Sequence, residues 1–278
     1  MTSVTDPTPL ALAPPKRRVA LPNLRGLGQG LIPWLLPALI LLAWEISSRL
    51  GNLSATLLPA PSDVIAAGLR LTKTGELQNH LLVSFGRAIS GLALGGSLAF
   101  LFGLANGLSR LSARLTDTSI QMIRNIPALS LIPLVILWFG IEEAAKLFLV
   151  SLAVFFPIYV NTFHGIRTVD AQLVEMGRSY GMRSWDLFWR VVLPGALPSI
   201  FVGLRYALGL MWLTLIVAET IAAQSGLGYL AMHAREFMLT DVVVLAIVIY
   251  ALLGKLADSI ARLLERKTLR WHAAFQKD

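Results

Sequence analysis

Six stretches of this 278-residue chain stay apolar for about twenty residues or more, near 31–50, 81–107, 120–140, 144–163, 196–222 and 241–262. Each is long enough to cross roughly 30 Å of hydrocarbon at about 1.5 Å per residue of helix. A segment inside hydrocarbon must satisfy its backbone polar groups within its own helix or within a closed barrel. A barrel needs strands of about ten residues with alternating polarity, and none of the six runs alternates. The expected class is therefore an all-α polytopic membrane protein with six transmembrane helices over residues 31–262. The thinnest division is at Gly140, Ile141, Glu142 and Glu143, which alone separate the third run from the fourth.

Residues 1–30 are rich in Pro and Thr, hold no apolar period and contain the cluster Lys16, Arg17, Arg18. They read as a disordered cytoplasmic tail. A secretory signal would place a short apolar core and a small-residue cleavage site after those charges. The run from Leu31 instead carries Pro33 and Pro37 and continues for 20 residues, so it is expected to be a retained span. Residues 263–278 read as a cytoplasmic C-terminal tail.

The chain has 24 Lys plus Arg against 16 Asp plus Glu, a formal net charge of +8. In a soluble protein that excess would first suggest nucleic acid. Here only 14% of residues are charged and 55% are hydrophobic, with a mean hydropathy of +0.67, so lipid is the better partner and no nucleic-acid role is expected. With the N-terminus inside, seventeen Lys and Arg fall in inner segments. Five fall outside, namely Arg49, Arg70, Lys73, Lys146 and Arg235, and two, Arg87 and Arg205, fall within spans. Basic residues collect on the cytoplasmic side, which places both termini in the cytoplasm.

Arg87 and Arg205 need a reason, because an intramembrane charge faces a bundle interior or a water-filled path. Arg205 lies about nine residues into the fifth run, near the midplane at helical rise. It suits an anion pathway or a structural ion pair. Arg87 falls toward the outer end of its run, as do Glu45 and Glu219, and either acid is a suitable partner. Arg205, Arg87 and Glu219 are the candidates for a translocation pathway. In the second run Gly91, Gly95, Ala99, Gly103 and Gly107 repeat every four residues on one face, a surface for close helix approach within one chain or between two copies. Asn106 and Gln121 are expected to form interhelical hydrogen bonds. The outer segments 58–71, with a short helix from about Ser62, and 223–240 either pack across the span ends or meet an external partner.

Chemistry-bearing motifs are sparse. No GxxxxGK[ST] phosphate loop occurs, and the GLGYLA string at Gly226 sits in an outer loop with no strand before it. The four histidines have no metal-ligand spacing, and Ser, His and Asp candidates fall on opposite sides of the membrane. Absence of cysteine excludes a thiolate site and a disulfide framework. The chain is expected not to be an enzyme and to bind no metal or cofactor. A secondary transporter would show midplane carboxylates or two repeated halves, and neither is evident.

The informative segment is the inner loop 164–194, far longer than a connection between neighbouring helices requires. It reads as helix, turn, helix: Asp170 as a first N-cap, Gly181 as the terminating glycine, Ser184 as a second N-cap, and Leu193-Pro194 closing the second helix before the fifth span. Trp185, Leu187, Phe188, Trp189 and Val192 form an apolar surface that suits either lipid or a groove in a cytoplasmic partner.

The run from Glu175 through Gly181 to Val191, Leu193 and Pro194 resembles the EAA loop of ATP-binding-cassette importer permeases, with Met176 and Gly177 where the family pattern has alanines. The strings RNIPALSLIPLVILWFGI, FFPIYVNTFHGIR, VLPGALPSI and ALGLMWLTLIVAETI resemble the aliphatic sulfonate branch of that family, which includes taurine and nitrate importers; the similarity covers roughly 31–271. The resemblance implies a type I importer permease fold with a cytoplasmic coupling-helix hairpin carrying Glu175, Gly177, Ser179, Tyr180, Gly181, Trp185, Val191, Leu193 and Pro194. It also implies a second permease chain, two cytoplasmic ATPase subunits that hold ATP and Mg, a periplasmic sulfonate-binding protein, and location in the bacterial inner membrane.

Overall fold

The structure, a computed structural model, describes residues 24–51, 53–54 and 56–271, with side chains from Leu35 onward apart from that of Ala222. Most of the expected N-terminal tail and residues 272–278 lie outside the described residues. Every regular element among the described residues is helical. Helix α1 spans Leu24–Arg49, α2 Pro61–Thr74, α3 Glu76–Leu108, α4 Arg110–Arg124, α5 Ile132–Phe139 and α6 Glu143–Arg167. They are followed by α7 Ala171–Ser179, α8 Ser184–Leu187, α9 Leu193–Ala222, α10 Leu227–Glu236 and α11 Thr240–Thr268.

Among the described residues α3, α6, α11 and the continuous helix Ser184–Ile221 are long and apolar enough to cross a membrane. The third run differs from its expectation. Instead of one helix over 120–140, α4 and the segment Ala128–Phe139 meet at an angle of 83°. Ile126 precedes Pro127, whose ring disfavours helical backbone at Ile126, and Pro127 itself takes φ −60°, ψ 120°. The helix stops at Arg124 and restarts through a 3₁₀ turn at Ala128–Leu131. Helix α1 begins at Leu24, seven residues before the first apolar run. It meets α2 through Glu45, which accepts hydrogen bonds from Ser62 N (3.0 Å) and Ser62 Oγ (2.7 Å), and through Arg49, which reaches Asp63 at 3.3 Å.

The centre is the trio α3, α6 and α9. The glycine stripe of α3 faces α6 of the same chain. Gly91 meets Val150, Gly95 meets the backbone of Ser151, Gly103 meets Thr162 and Gly107 meets Ile166, and Ser151 Oγ donates to Gly91 O at 3.2 Å. The α6 to α9 contact repeats the device, with Gly165 against Ala196 and Ser199, and Gly203 against Pro157 and Asn161. A Cβ at Gly95 would lie 2.6 Å from Ser151 Cα, an immovable backbone atom. Gly95→Val should therefore cost at least about 1–3 kcal/mol and lower the melting temperature in detergent. Gly86→Val, where a Cβ would meet nothing within 4 Å, should leave it unchanged.

Near the junction of α3 and α4, a buried polar cluster ties α4 to α3 and α6. Asn106 Nδ2 donates to Tyr159 Oη at 2.7 Å, Tyr159 Oη donates to Asp117 at 2.6 Å, and Thr116 Oγ1 donates to Asn106 Oδ1 at 3.0 Å. Asn106 is thus interhelical as expected. Gln121 is not: it donates to Asp117 one turn earlier on its own helix, at 3.2 Å.

Candidate functional site

The hairpin between α6 and α9 is built by local rules. Asp170 Oδ1 accepts the N–H of Gln172 at 2.8 Å and starts α7. Gly181 takes φ +75°, the left-handed conformation expected there; Met182 N–H donates to Gly177 O at 3.1 Å and Gly181 N–H to Arg178 O at 2.9 Å. Those two bonds close the helix in a Schellman turn. Gly177 is buried, and a Cβ on it would sit 2.7 Å from Leu187 Cδ1, so α7 crosses the start of the second helix at this point. Ser179 Oγ donates to Glu175 O at 3.0 Å, and the Glu175 side chain lies on the exposed face of α7.

The second half of the hairpin departs from its expectation twice. Arg183, with φ −71° and ψ 158°, holds the N-cap position; Ser184 is the first helical residue and makes no cap bond. Nor does Leu193-Pro194 end the helix. Residues Ser184–Ile221 form one 38-residue helix that passes Pro194 through a π turn at Phe188–Val192, where Leu193 N–H donates to Phe188 O. The wider turn accommodates the missing proline N–H and the ring without a break.

The hairpin presents two apolar faces. Trp185, Phe188 and Trp189 join Phe100, Leu104 and Leu108 at the inner end of α3 around a cavity of about 590 Å³, a surface suited to the lipid boundary. On the other side Leu173, Met176, Tyr180, Val191 and Pro194 line a second groove of about 650 Å³. Tyr180 is 82% exposed at its rim.

At the end of the bundle away from the hairpin, Arg87 joins three helices and a loop. Its Nη1 is 2.7 Å from Glu219 Oε1 and 2.6 Å from Ser225 O, while Nε and Nη2 grip both oxygens of Glu143 at 2.6 Å. Of the two acids proposed for Arg87, Glu219 is the partner; Glu45 is taken by Ser62 and Arg49. Glu143, at the start of α6, is a further partner that no pattern in the sequence marks. Glu219 also accepts from Ser84 Oγ (2.8 Å), Tyr250 Oη (2.8 Å) and Gly228 N–H (2.9 Å). Neighbouring N–H groups of the GLGYLA string are committed as well, Gly226 to His80 Nδ1 at 3.0 Å and Leu227 to Ser84 Oγ at 2.8 Å. This loop is turned inward to hold the outer ends together.

Arg205 pairs with two acids of α11, Asp258 at 3.2 Å and Glu265 at 3.4 Å. Asp258 lies inside the sixth apolar run and Glu265 just beyond it, so Arg205 is an ion-paired residue of the α9–α11 contact. Neither Arg205, Arg87 nor Glu219 lines the open-sided cavity of about 500 Å³ between the bent pair, α6 and α9. That cavity instead receives Arg124, whose charge the sorting by segments had assigned to the cytoplasmic side.

Comparison with known proteins bears on this architecture. A family described as the binding-protein-dependent transport system inner membrane component matches residues 91–270. A putative aliphatic sulfonates transport permease protein of Escherichia coli (strain K12) is 62% identical over 243 residues, covering 87% of this chain and 92% of that protein. A protein of the same description from Bacillus subtilis (strain 168) is 44% identical, covering 87% and 88%, and a taurine transport system permease protein of E. coli K12 is 35% identical, covering 86% and 89%. The family match takes in the α3–α6 seam from Gly91, the hairpin and α11 together, and by it the chain belongs to the inner membrane permeases of binding-protein-dependent, ATP-binding-cassette importers.

Proposed function

We propose that this chain is the permease of an importer for aliphatic sulfonates, carrying them from periplasm to cytoplasm as one of two identical permease chains. Six spans with both termini in the cytoplasm fit the charge distribution. Two cytoplasmic ATPase subunits hold ATP and Mg, a periplasmic binding protein delivers the sulfonate, and the permease itself is neither an enzyme nor a cofactor-binding chain. Similarity supports the substrate: 62% identity to a sulfonate permease, against 35% to a taurine permease over a comparable length.

The observation that carries the mechanism is the unbroken helix Ser184–Ile221. It joins the hairpin rigidly to the bundle, so a pull on the hairpin is delivered to α9 without a flexible joint. In this reading Glu175, Ser179, Tyr180 and Gly181 meet the ATPase, Gly177 and Trp185 shape the hairpin, and Val191, Leu193 and Pro194 carry its motion into α9. Closing of the ATPase pair on ATP draws the two hairpins together and rocks α9 with α3 and α6, which the glycine seams hold as one body. Arg87 and Glu219 keep the outer ends of that body joined, and Arg205 braces α9 against α11.

Co-purification tests the hairpin's part. The Glu175→Ala, Tyr180→Ala double variant should reach the membrane with unchanged helicity and lose most of its bound ATPase on purification. Undiminished ATPase stoichiometry in that variant would contradict the assignment.

A further inference from the structure

The cavity of about 500 Å³ between the bent pair, α6 and α9 has a one-sided chemistry. Its polar lining comprises Arg124, Asn161, Tyr206 and Thr214, and no Asp or Glu lines it. Among the described residues no ion pair involves Arg124. Most of the remaining wall is apolar, with Leu152, Phe156 and Val160 from α6 and Leu210 from α9.

Depth makes the charge significant. The α6 lining begins nine residues after Glu143 and ends six before Arg167, which at about 1.5 Å per residue is the middle of the helix. Arg124, at the end of α4, puts an exposed guanidinium on the wall of that cavity, where it is costly against lipid and belongs beside water or an anion. The interrupted backbone at Asn125–Pro127 points the same way, since non-helical backbone at membrane depth is tolerated where it lines a cavity.

We infer that this cavity is the site through which the cargo crosses the membrane, and that it selects a monovalent organic anion with an apolar tail. Arg124 meets the anionic head with a planar fork of donors that matches a multi-oxygen group. The Tyr206 and Thr214 hydroxyls and the free amide hydrogen of Asn161 supply further donors; the other is given to Pro157 O at 2.9 Å. Phe156, Val160 and Leu210 receive the tail. A single cation, with no second charge of either sign, leaves the anion free to depart. The inference rests on the import function proposed above and adds the charge-selecting residue.

The chain contains no cysteine, so Leu210→Cys introduces its only thiol into the cavity wall. In the complete reconstituted complex, that thiol is labelled with 2-sulfonatoethyl methanethiosulfonate and, separately, with the cationic 2-(trimethylammonio)ethyl reagent, following the mass of this chain. The anionic reagent should react the faster of the two relative to their rates with a free thiol. Adding Arg124→Gln should lower the anion-to-cation ratio on the order of tenfold, and Arg124→Lys should restore most of it. Failure of both reagents to label the thiol, or a ratio indifferent to Arg124→Gln, would overturn the inference. Protection against labelling by an alkanesulfonate with its binding protein supports both readings. Protection only by a different anion, with the ratio still falling in Arg124→Gln, would overturn the sulfonate reading and leave the anion-selecting cavity in place.

Discussion

Gly181→Asp should abolish binding-protein-stimulated ATP hydrolysis in the assembled importer while the chain still inserts and pairs. Gly181 takes φ +75° at the tip of the hairpin, and a Cβ there would meet nothing within 4 Å. Within this chain the cost is confined to backbone strain, about 1–2 kcal/mol for an ordinary residue and less for Asp, whose short side chain tolerates the left-handed region. The fold therefore survives. What the substitution disturbs is the space beyond the hairpin, where it adds a carboxylate to the exposed surface that carries Glu175 and is assigned to the ATPase. Stimulated hydrolysis should fall at least about tenfold, to the basal rate of the complex, with intact pairing on size-exclusion chromatography; a loss that size is about 1.4 kcal/mol of coupling. Gly181→Ala, bearing the strain without the charge, should fall between the two. Normal stimulation in Gly181→Asp would remove the hairpin from the coupling path.

Arg87→Ala should prevent accumulation of folded chain. Arg87 is 4% exposed and Glu219 1% exposed, and removing the guanidinium leaves a buried carboxylate with only neutral donors, Ser84, Tyr250 and the Gly228 N–H. Breaking one side of a buried pair costs about 3–5 kcal/mol, a large share of the stability of an ordinary domain. Glu219→Gln should be milder, because Arg87 keeps both oxygens of Glu143 and the amide retains an acceptor. Glu143→Ala should be mildest, since that side chain is 59% exposed and its loss leaves Arg87 paired with Glu219. The yield of folded, monodisperse chain after extraction in detergent checks the order; equal losses for Arg87→Ala and Glu143→Ala would contradict a buried centre at Glu219.

Local signals in the sequence translate well where one element decides the outcome. The apolar runs at 81–107, 144–163 and 241–262 fall inside α3, α6 and α11, and the Asp170 cap and Gly181 turn appear as spacing and residue type require. The glycine stripe is visible as a stripe, but whether it faces its own chain or a second copy depends on α6, which no pattern within α3 records. The break after Arg124 is hidden because hydropathy averaged over 120–140 spans both arms of the bend. Arg124 stands near the start of that run and so counts with the inner charges, until the bend places it on the cavity wall. Leu193-Pro194 reads as a stop, yet the π turn carries the helix past it. That outcome depends on register over Phe188–Val192 rather than on any one residue. Glu143 escapes notice as the third member of the Arg87 cluster because it is 56 residues away in the chain, in what reads as a short outer link.

The central claim is that this permease, coupled to its ATPases through the hairpin, imports aliphatic sulfonates. It is tested most directly by uptake into proteoliposomes holding the complete complex with ATP inside and the binding protein outside, comparing a labelled alkanesulfonate with taurine and nitrate. The account predicts accumulation of the alkanesulfonate that requires ATP and exceeds that of the other two. Preferential accumulation of taurine or nitrate, or alkanesulfonate uptake that proceeds equally without ATP, would contradict it.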